Sequence, residues 1–152
     1  MAYDIKAAIP HREPFLLLDE IVELSDDSVR AAYTLRPDDE LWSRVYSGHY
    51  PGAPITPGVL LCEMMFQAAA VMMHERAKKE PLEGVPVVTR IQGVKFKNMV
   101  FPGESVEIRA KLSETMGGAF FMKGSVLKGG KTAVQAEFAV AMALAGSAGP
   151  AS

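Results

Sequence analysis

One stretch of this sequence constrains the fold more than any other, a long and strongly apolar run that begins at Gly58. Thr56 is suited to be an N-cap, and Pro57 then falls at the first position of a helix. No further proline occurs until Pro81, so the pattern predicts a helix that ends at about Lys79. Apolar residues cover nearly every side of its first four turns, which predicts burial all round.

The rest of the chain predicts about six strands. The run after Pro14 and residues 29–35 predict the two strands of a hairpin before the helix. Four strands follow the helix at residues 85–97, 105–113, 119–128 and 132–143. The class is therefore α+β, with a mostly antiparallel sheet wrapped around one helix. Such a sheet covers only part of the helix, and a second copy of the chain is the simplest candidate to cover the rest. We expect one domain over residues 1–143 and a flexible tail over residues 144–152.

Composition excludes several classes of function. The net charge of -2 gives no reason to expect nucleic acid or an anionic membrane as a partner. The apolar run is too short to span a bilayer, and the first residues do not resemble a signal peptide, so we expect a cytoplasmic protein. Cys62 is the single cysteine, which leaves no internal disulfide. Three scattered histidines offer no metal-ligand spacing, and we predict no metal site.

Two residues of this region are candidates for acid–base chemistry. Glu63 lies among apolar neighbours, and burial there would favour its protonated form, which can donate a proton to a leaving group. Alternatively, Glu63 lies on a solvated stripe of the helix or pairs with an arginine. His49 precedes the helix in a loop fixed by glycine and proline, where it can act as a base at neutral pH. The alternative for His49 is a structural or exposed loop histidine.

Gly58 adds a possible third component. The first amides of a helix have no intrahelical acceptor, and the helix dipole makes that end electropositive. An amide at this position can polarise a carbonyl group and stabilise an enolate-like oxygen, although a glycine here can also serve close packing alone. His11 is as suitable for holding a loop as for contacting a substrate. We interpret Cys62 as a packing residue. Met64 mostly fills the core, and its thioether could also line a channel for an alkyl chain.

Three segments resemble the signatures of one enzyme family. They are residues 10–19 (PHREPFLLLD), 48–67 (GHYPGAPITPGVLLCEMMFQ) and 94–103 (VKFKNMVFPG). Their order and sequence are similar to those of FabZ-type (3R)-hydroxyacyl-[acyl-carrier-protein] dehydratases, and the match spans residues 5–143. The resemblance implies a hot-dog fold, in which a curved antiparallel sheet wraps a central helix. It also implies homodimers with shared active sites, which in this family often assemble into hexamers.

The resemblance assigns roles to individual residues. His49 matches the catalytic base, and Glu63 matches the catalytic acid, which acts in the active site of the partner subunit. Gly58, followed by Val59, matches the segment that holds the thioester oxygen, and Gln67 matches a glutamine able to orient the acid. The implied reaction dehydrates a 3-hydroxyacyl group on acyl carrier protein without any cofactor. Glutamate at position 63, rather than aspartate, favours dehydration without isomerisation.

The sequence departs from the family pattern near the substrate entrance. The segment 38–47 is longer than usual, and Thr56 replaces an aromatic residue that commonly gates the acyl tunnel. Met64 and Phe96 are further tunnel candidates. Asn98 replaces a frequent arginine, which leaves a smaller set of candidates for a basic rim that would attract acidic carrier protein: Arg90, Lys95 and Lys97. The altered segment and Thr56 keep open a dehydratase of a specialised acyl or polyene pathway. A hot-dog thioesterase and a non-catalytic acyl-binding subunit are two further alternatives.

Overall fold

Three helices and six strands make up residues 2–144, the part of the chain that the computed structural model describes. The helices are α1 (Ile5–Ala8), α2 (Glu40–Gly48) and α3 (Gly58–Ala77). The strands are β1 (Glu20–Leu24), β2 (Ser28–Thr34), β3 (Val85–Phe96), β4 (Ser105–Met116), β5 (Ala119–Lys128) and β6 (Lys131–Ala143). The predicted tail falls on residues 144–152, of which only Leu144 is described.

The strands form one antiparallel sheet in the order β1-β2-β4-β5-β6-β3. Five of the six strands lie close to their predicted positions. The first predicted strand, which was expected to start just after Pro14, begins only at Glu20. The backbone before it is engaged elsewhere, because the Leu17 N–H donates to Gln67 Oε1 at 2.8 Å and the Phe15 carbonyl accepts from Gln67 Nε2 at 2.8 Å. A buried side chain of α3 therefore takes the place of a strand partner.

The long helix α3 starts one residue later than the capping pattern predicted. Pro57 is the N-cap residue, with ψ of 130°, and Gly58 is the first helical residue. The prediction of Thr56 as the cap is wrong, because its Oγ1 shares a hydrogen bond of 2.7 Å with the Tyr46 hydroxyl. The helix also ends at Ala77, slightly before the predicted end.

The sheet and the short flanking segments already bury most of α3. Met64, Met65 and Met72 are inaccessible to solvent within the single chain. The helix lies close to the sheet at Gly124, where an added Cβ would stand 2.8 Å from Met65 Sδ. The helix surface that remains for a second copy to cover therefore lies mainly near the first turn, where Val59 is 72% exposed.

Most of the unusually long segment 38–47 folds into α2, which is anchored to the core by the two buried residues Trp42 and Tyr46. Trp42 is fully buried, and its Nε1–H donates to the Tyr33 hydroxyl at 2.6 Å. The Trp42 ring stacks on Tyr46, with ring centroids 5.6 Å apart. Because two aromatic anchors hold α2, the residues that follow its C-terminus start from a fixed position. Among the helices of residues 2–144, none combines the length and apolar character of a membrane span.

Candidate active site

His49 stands directly at the C-terminal end of α2, where its N–H donates to the Val45 carbonyl at 2.8 Å. Its ring Nδ1 lies 2.9 Å from the carbonyl oxygen of Ile55. A carbonyl oxygen can only accept a hydrogen bond, so Nδ1 carries the proton in the neutral ring. Nε2 is therefore the unprotonated nitrogen, which is the form that a general base requires.

The next residue carries backbone strain. Tyr50 has φ of +56°, a left-handed conformation that is uncommon outside glycine. Its ring meets the His49 ring edge-on, with centroids 4.8 Å apart. The Ala53 N–H donates to the Tyr50 carbonyl at 2.9 Å and closes the turn. This strained turn lies between α2 and Ile55, and it returns the chain so that the Ile55 carbonyl meets the imidazole.

A cavity of about 510 Å³ opens beside His49 at the N-terminal end of α3. We call it the histidine cavity. Its lining contains six of the residues predicted for the site, which are His49, Thr56, Gly58, Val59, Phe96 and Lys97. The remaining lining residues are Ile55, Pro57, Leu61, Asn98, Met99 and Val100. A mainly apolar cavity with one imidazole suits an acyl chain attached to a reactive polar head.

The first turn of α3 forms one wall of this cavity. Leu60 and Leu61 both donate to the Pro57 carbonyl, at 3.0 and 3.3 Å, so the amides of Gly58 and Val59 have no backbone acceptor among the described residues. The Phe96 ring packs directly on Gly58, and an added Cβ would stand 2.3 Å from Phe96 Cε1. Gly58 thus allows the close packing that was the alternative interpretation of this glycine. Its amide is also free at the positive end of the helix.

Glu63 lies outside the histidine cavity. Its Oε2 accepts a hydrogen bond from Gln67 Nε2 at 3.0 Å, as expected for residues one helical turn apart. Gln67 is fully buried, and its amide also holds the backbone of Phe15 and Leu17. The basic side chain within 4 Å of the carboxylate, among the described residues, is His11 rather than an arginine, with Nε2 at 3.7 Å. We call Glu63, Gln67 and His11 the carboxylate cluster.

One chain therefore holds the two predicted catalytic groups in separate places. The lining of the histidine cavity includes neither Glu63 nor Gln67. The Glu63 side chain is 24% exposed, so it remains accessible from outside the chain. A base with a free nitrogen and an accessible carboxylate are both present, and they are not in contact with one another.

The other predicted site residues are more dispersed. Met64 is buried in the core and does not line the histidine cavity. Arg90, Lys95 and Lys97 border three different depressions of the surface, and only Lys97 belongs to the histidine cavity. The predicted basic rim is thus not continuous on one chain. The amide of Asn98, where the family often has arginine, donates to the Thr132 carbonyl at 2.7 Å and anchors the end of β3.

Cys62 and the potential metal ligands complete the set of residues considered from the sequence. Burial raises the pKa of the Cys62 thiol, which fits its interpretation as a packing residue. The residues described here contain no group of three or more potential metal ligands. The contact of His11 with Glu63 and the pairing of Tyr46 with Thr56 were not anticipated. Because His11 and Glu63 are far apart in sequence, the position of His11 in the first motif was the one sequence feature that could have indicated their contact.

Comparison with known proteins places the chain in a family. A family model described as a FabA-like domain matches residues 9–137. The 3-hydroxyacyl-[acyl-carrier-protein] dehydratase FabZ of Campylobacter jejuni subsp. jejuni is 36% identical over 135 residues, which are 88% of this chain and 90% of that protein. The FabZ of Lactococcus lactis subsp. cremoris is 31% identical over 139 residues, with 91% and 92% of the two chains covered.

Solved structures confirm the hot-dog fold. The dehydratase heterocomplex ApeI:P from Xenorhabdus doucetiae aligns with a TM-score of 0.79 at 20% identity, covering 95% of this chain and 94% of that chain. At this identity the likeness shows the fold alone. The matching family model, the curated relatives and the three sequence motifs together show that this chain belongs to the FabA-like family, in the branch of the FabZ-type 3-hydroxyacyl-[acyl-carrier-protein] dehydratases.

Proposed function

We propose that this chain is a hydro-lyase of fatty acid biosynthesis in the cytoplasm, converting (3R)-3-hydroxyacyl groups on acyl carrier protein into trans-2-enoyl groups and water. The observation that carries the proposal is the hydrogen bond from His49 Nδ1 to the Ile55 carbonyl. It leaves Nε2 free in an apolar cavity that also contains the first amides of α3. The proposed catalytic groups of this cavity are the base His49 and the electropositive N-terminal end of α3, and the proposed reaction requires no cofactor.

The base half of the reaction is supplied by the histidine cavity. His49 Nε2 removes a proton from the α-carbon of the thioester, and the electron pair of that bond moves toward the carbonyl oxygen. The free amides of Gly58 and Val59 then stabilise the enolate-like charge, because they lie at the positive end of the α3 dipole. The apolar walls strengthen this interaction by excluding water.

The acid half is supplied by the carboxylate cluster. Glu63, in its protonated form, gives its proton to the β-hydroxyl group, which leaves as water while the enolate electrons form the double bond. Gln67 orients the carboxyl group through the hydrogen bond of 3.0 Å to Oε2. Since Gln67 is itself fixed by two backbone bonds, the direction of the Glu63 side chain is set by the fold rather than by solvent.

The separation of base and acid in one chain supports a homodimer with shared sites. A partner subunit would bring its Glu63 to the histidine cavity of the first chain. The long strand β3 is an edge of the sheet, where backbone groups are free to pair with another strand. Two side chains beside the cavity, Phe96 and Met99, are each 60% exposed, which suits an interface with a second copy. Assembly of dimers into a hexamer is a further part of the proposal.

The substrate is proposed to arrive on acidic carrier protein. Lys97 borders the histidine cavity. Lys95 and Arg90 both lie on β3, and each borders a different depression of the surface. In a dimer these cations could form a rim from both subunits, which would attract an acidic carrier and lose strength with salt. Phe96, Thr56 and Val59 would meet the acyl chain at the cavity wall.

The test is an assay of the purified chain with 3-hydroxybutyryl groups on acyl carrier protein, following formation of the enoyl product by mass spectrometry. We expect enoyl product from the unchanged chain and a loss of more than about 100-fold in His49→Ala and Glu63→Gln, since acid–base groups contribute roughly that much. His74→Ala is the matched control, because it removes a histidine that does not line the histidine cavity. Release of free thiol without enoyl product would instead indicate a thioesterase.

A further inference from the structure

The carboxylate cluster contains a group without an assigned task, the imidazole of His11. Its Nε2 faces Glu63 Oε2 at 3.7 Å, and its side chain is 29% exposed. Its Nδ1 is buried and has no hydrogen-bond partner among the described residues. The segment that carries His11 is fixed by the Arg12 guanidinium, which donates to the carbonyls of Lys6 and Ile9, each at 2.9 Å. The backbone that carries the ring is therefore fixed by hydrogen bonds beside the carboxyl group.

The two ring nitrogens of His11 have unequal surroundings, and this decides where its proton lies. A proton on Nδ1 would be a buried donor without an acceptor, which is costly in both the imidazolium and the Nδ1–H tautomer. A proton on Nε2 points toward the Glu63 carboxyl group instead. In the neutral ring, the single N–H of His11 therefore lies on Nε2 and faces Glu63, which is the opposite tautomer to that of His49.

The two N–H groups near Glu63, those of Gln67 and His11, both lie closest to the same carboxyl oxygen, Oε2. Gln67 Nε2 donates to Oε2 at 3.0 Å, and His11 Nε2 faces Oε2 at 3.7 Å. Oε1 has no hydrogen-bond partner among the described residues. In a protonated carboxyl group, the oxygen that accepts a hydrogen bond from Gln67 and faces a second N–H is favoured as the carbonyl oxygen, which leaves the hydroxyl proton on the other oxygen.

We propose that His11 is a positioning residue of the dehydration. Together with Gln67 it keeps Oε2 of Glu63 as the hydrogen-bond acceptor, and the proton to be transferred then remains on Oε1. This inference rests on the proposed function. In the step itself, the Oε1 proton goes to the β-hydroxyl oxygen, the carbon–oxygen bond breaks with its electron pair on the departing water, and the α-proton is held by His49. Glu63 is then a carboxylate, and the His11 N–H stabilises its new charge.

The present separation is longer than a hydrogen bond, and the proposal accounts for that length. A neutral N–H attracts a neutral carboxyl oxygen weakly and a carboxylate oxygen strongly. The contact is therefore expected to shorten when Glu63 gives up its proton, in the state that follows the chemical step. Contacts that tighten only during catalysis lower the barrier rather than merely bind substrate.

The first test reads the tautomers directly by nitrogen-15 NMR of the imidazole rings in the intact protein at neutral pH. The chain has only three histidines, so His11→Gln and His74→Ala assign the signals. We expect a proton on Nε2 of His11 and on Nδ1 of His49. An Nδ1–H tautomer or an imidazolium at His11 overturns the proposal, whether or not the chain is active.

The second test separates positioning from a merely structural role by kinetics. We expect His11→Ala to lower kcat about tenfold with little change in KM, as loss of a group that acts in the transition state does. Glutamine can place an amide N–H where Nε2 stands, so His11→Gln should recover most of kcat, whereas His11→Asn should not. His74→Ala, the histidine control, should behave as the unchanged chain.

Two outcomes would contradict the role of His11. One is a kcat of His11→Ala equal to that of the unchanged chain, and the other is a folded His11→Gln that is as slow as His11→Asn. In a Glu63→Gln background the loss caused by His11→Ala should disappear, and a loss that persists would place its effect elsewhere. Absence of enoyl product from the unchanged chain would reject the proposed function itself, while the NMR result would still test the geometry.

Discussion

At the scale of single residues, Gln67 connects the fold to the proposed chemistry. Its amide is fully buried, and it makes one bond to the Leu17 N–H, one to the Phe15 carbonyl and one to the Glu63 carboxyl group. The first two replace strand pairing before β1, and the third directs the candidate acid. One side chain therefore serves both stability and the orientation of the site.

We predict that Gln67→Leu lowers the free energy of unfolding by about 2–4 kcal/mol, because two buried backbone groups are left unsatisfied at roughly 1–2 kcal/mol each. Urea unfolding followed by circular dichroism measures the loss. Gln135→Leu is the matched control, since this half-exposed glutamine lies on β6 away from the cluster. Equal stability of the two variants would show that the buried amide bonds do not hold the segment before β1.

At the scale of secondary-structure elements, the close approach of α3 to the sheet depends on Gly124 of β5. The missing side chain leaves room for Met65, whose Sδ would be 2.8 Å from an added Cβ. The ring of Phe138 on β6 closes the same space, with Cε1 at 3.0 Å from that position. Helix, β5 and β6 thus meet at one point where no additional atom fits without movement.

Gly124→Ala is expected to destabilise the chain by about 1–3 kcal/mol, the usual cost of inserting a group into a well-packed core. Thermal and urea unfolding both measure this loss. Gly52→Ala is the control, because an added Cβ there meets nothing within 4 Å. Combining Gly124→Ala with Met65→Val should cost less than the sum of the single changes, since the smaller side chain restores the space. Strict additivity would argue against the contact.

At the scale of the whole molecule, the separation of the two candidate catalytic groups is the dominant feature. His49 lines one cavity, and Glu63 lies in a cluster outside it. The edge strand β3 ends at Phe96 beside the histidine cavity, so a partner that pairs with β3 would approach the same region. The proposed dimer would therefore complete the sheet and the active site with one interface.

Mixing two inactive variants tests whether sites are shared between subunits. A mixture of His49→Ala and Glu63→Gln subunits, allowed to exchange, should recover about a quarter of the original activity, because half the dimers are mixed and each has one intact site in a two-fold arrangement. Dehydration assays before and after subunit exchange measure the recovery. A mixture that remains inactive, although exchange is demonstrated by mass spectrometry, would place each site within one chain.

Much of the architecture was determined by local sequence patterns. A long apolar run and the spacing of prolines located α3, and glycine-containing turns located the strands that follow it, because these features act over a few residues. The motif around His49 and Glu63 identified candidate acid–base groups by residue type. Motif similarity, rather than periodicity, specified the hot-dog fold and the family.

Other features were decided only by the tertiary structure, because they join residues that are distant in sequence. Thr56 looked like a helix cap, but the hydroxyl of Tyr46 on α2 takes its side chain, and Pro57 becomes the cap. The start of β1 depends on a glutamine of α3. The placement of His11 against Glu63, and the absence of Glu63 from the histidine cavity, follow from packing that no local pattern encodes.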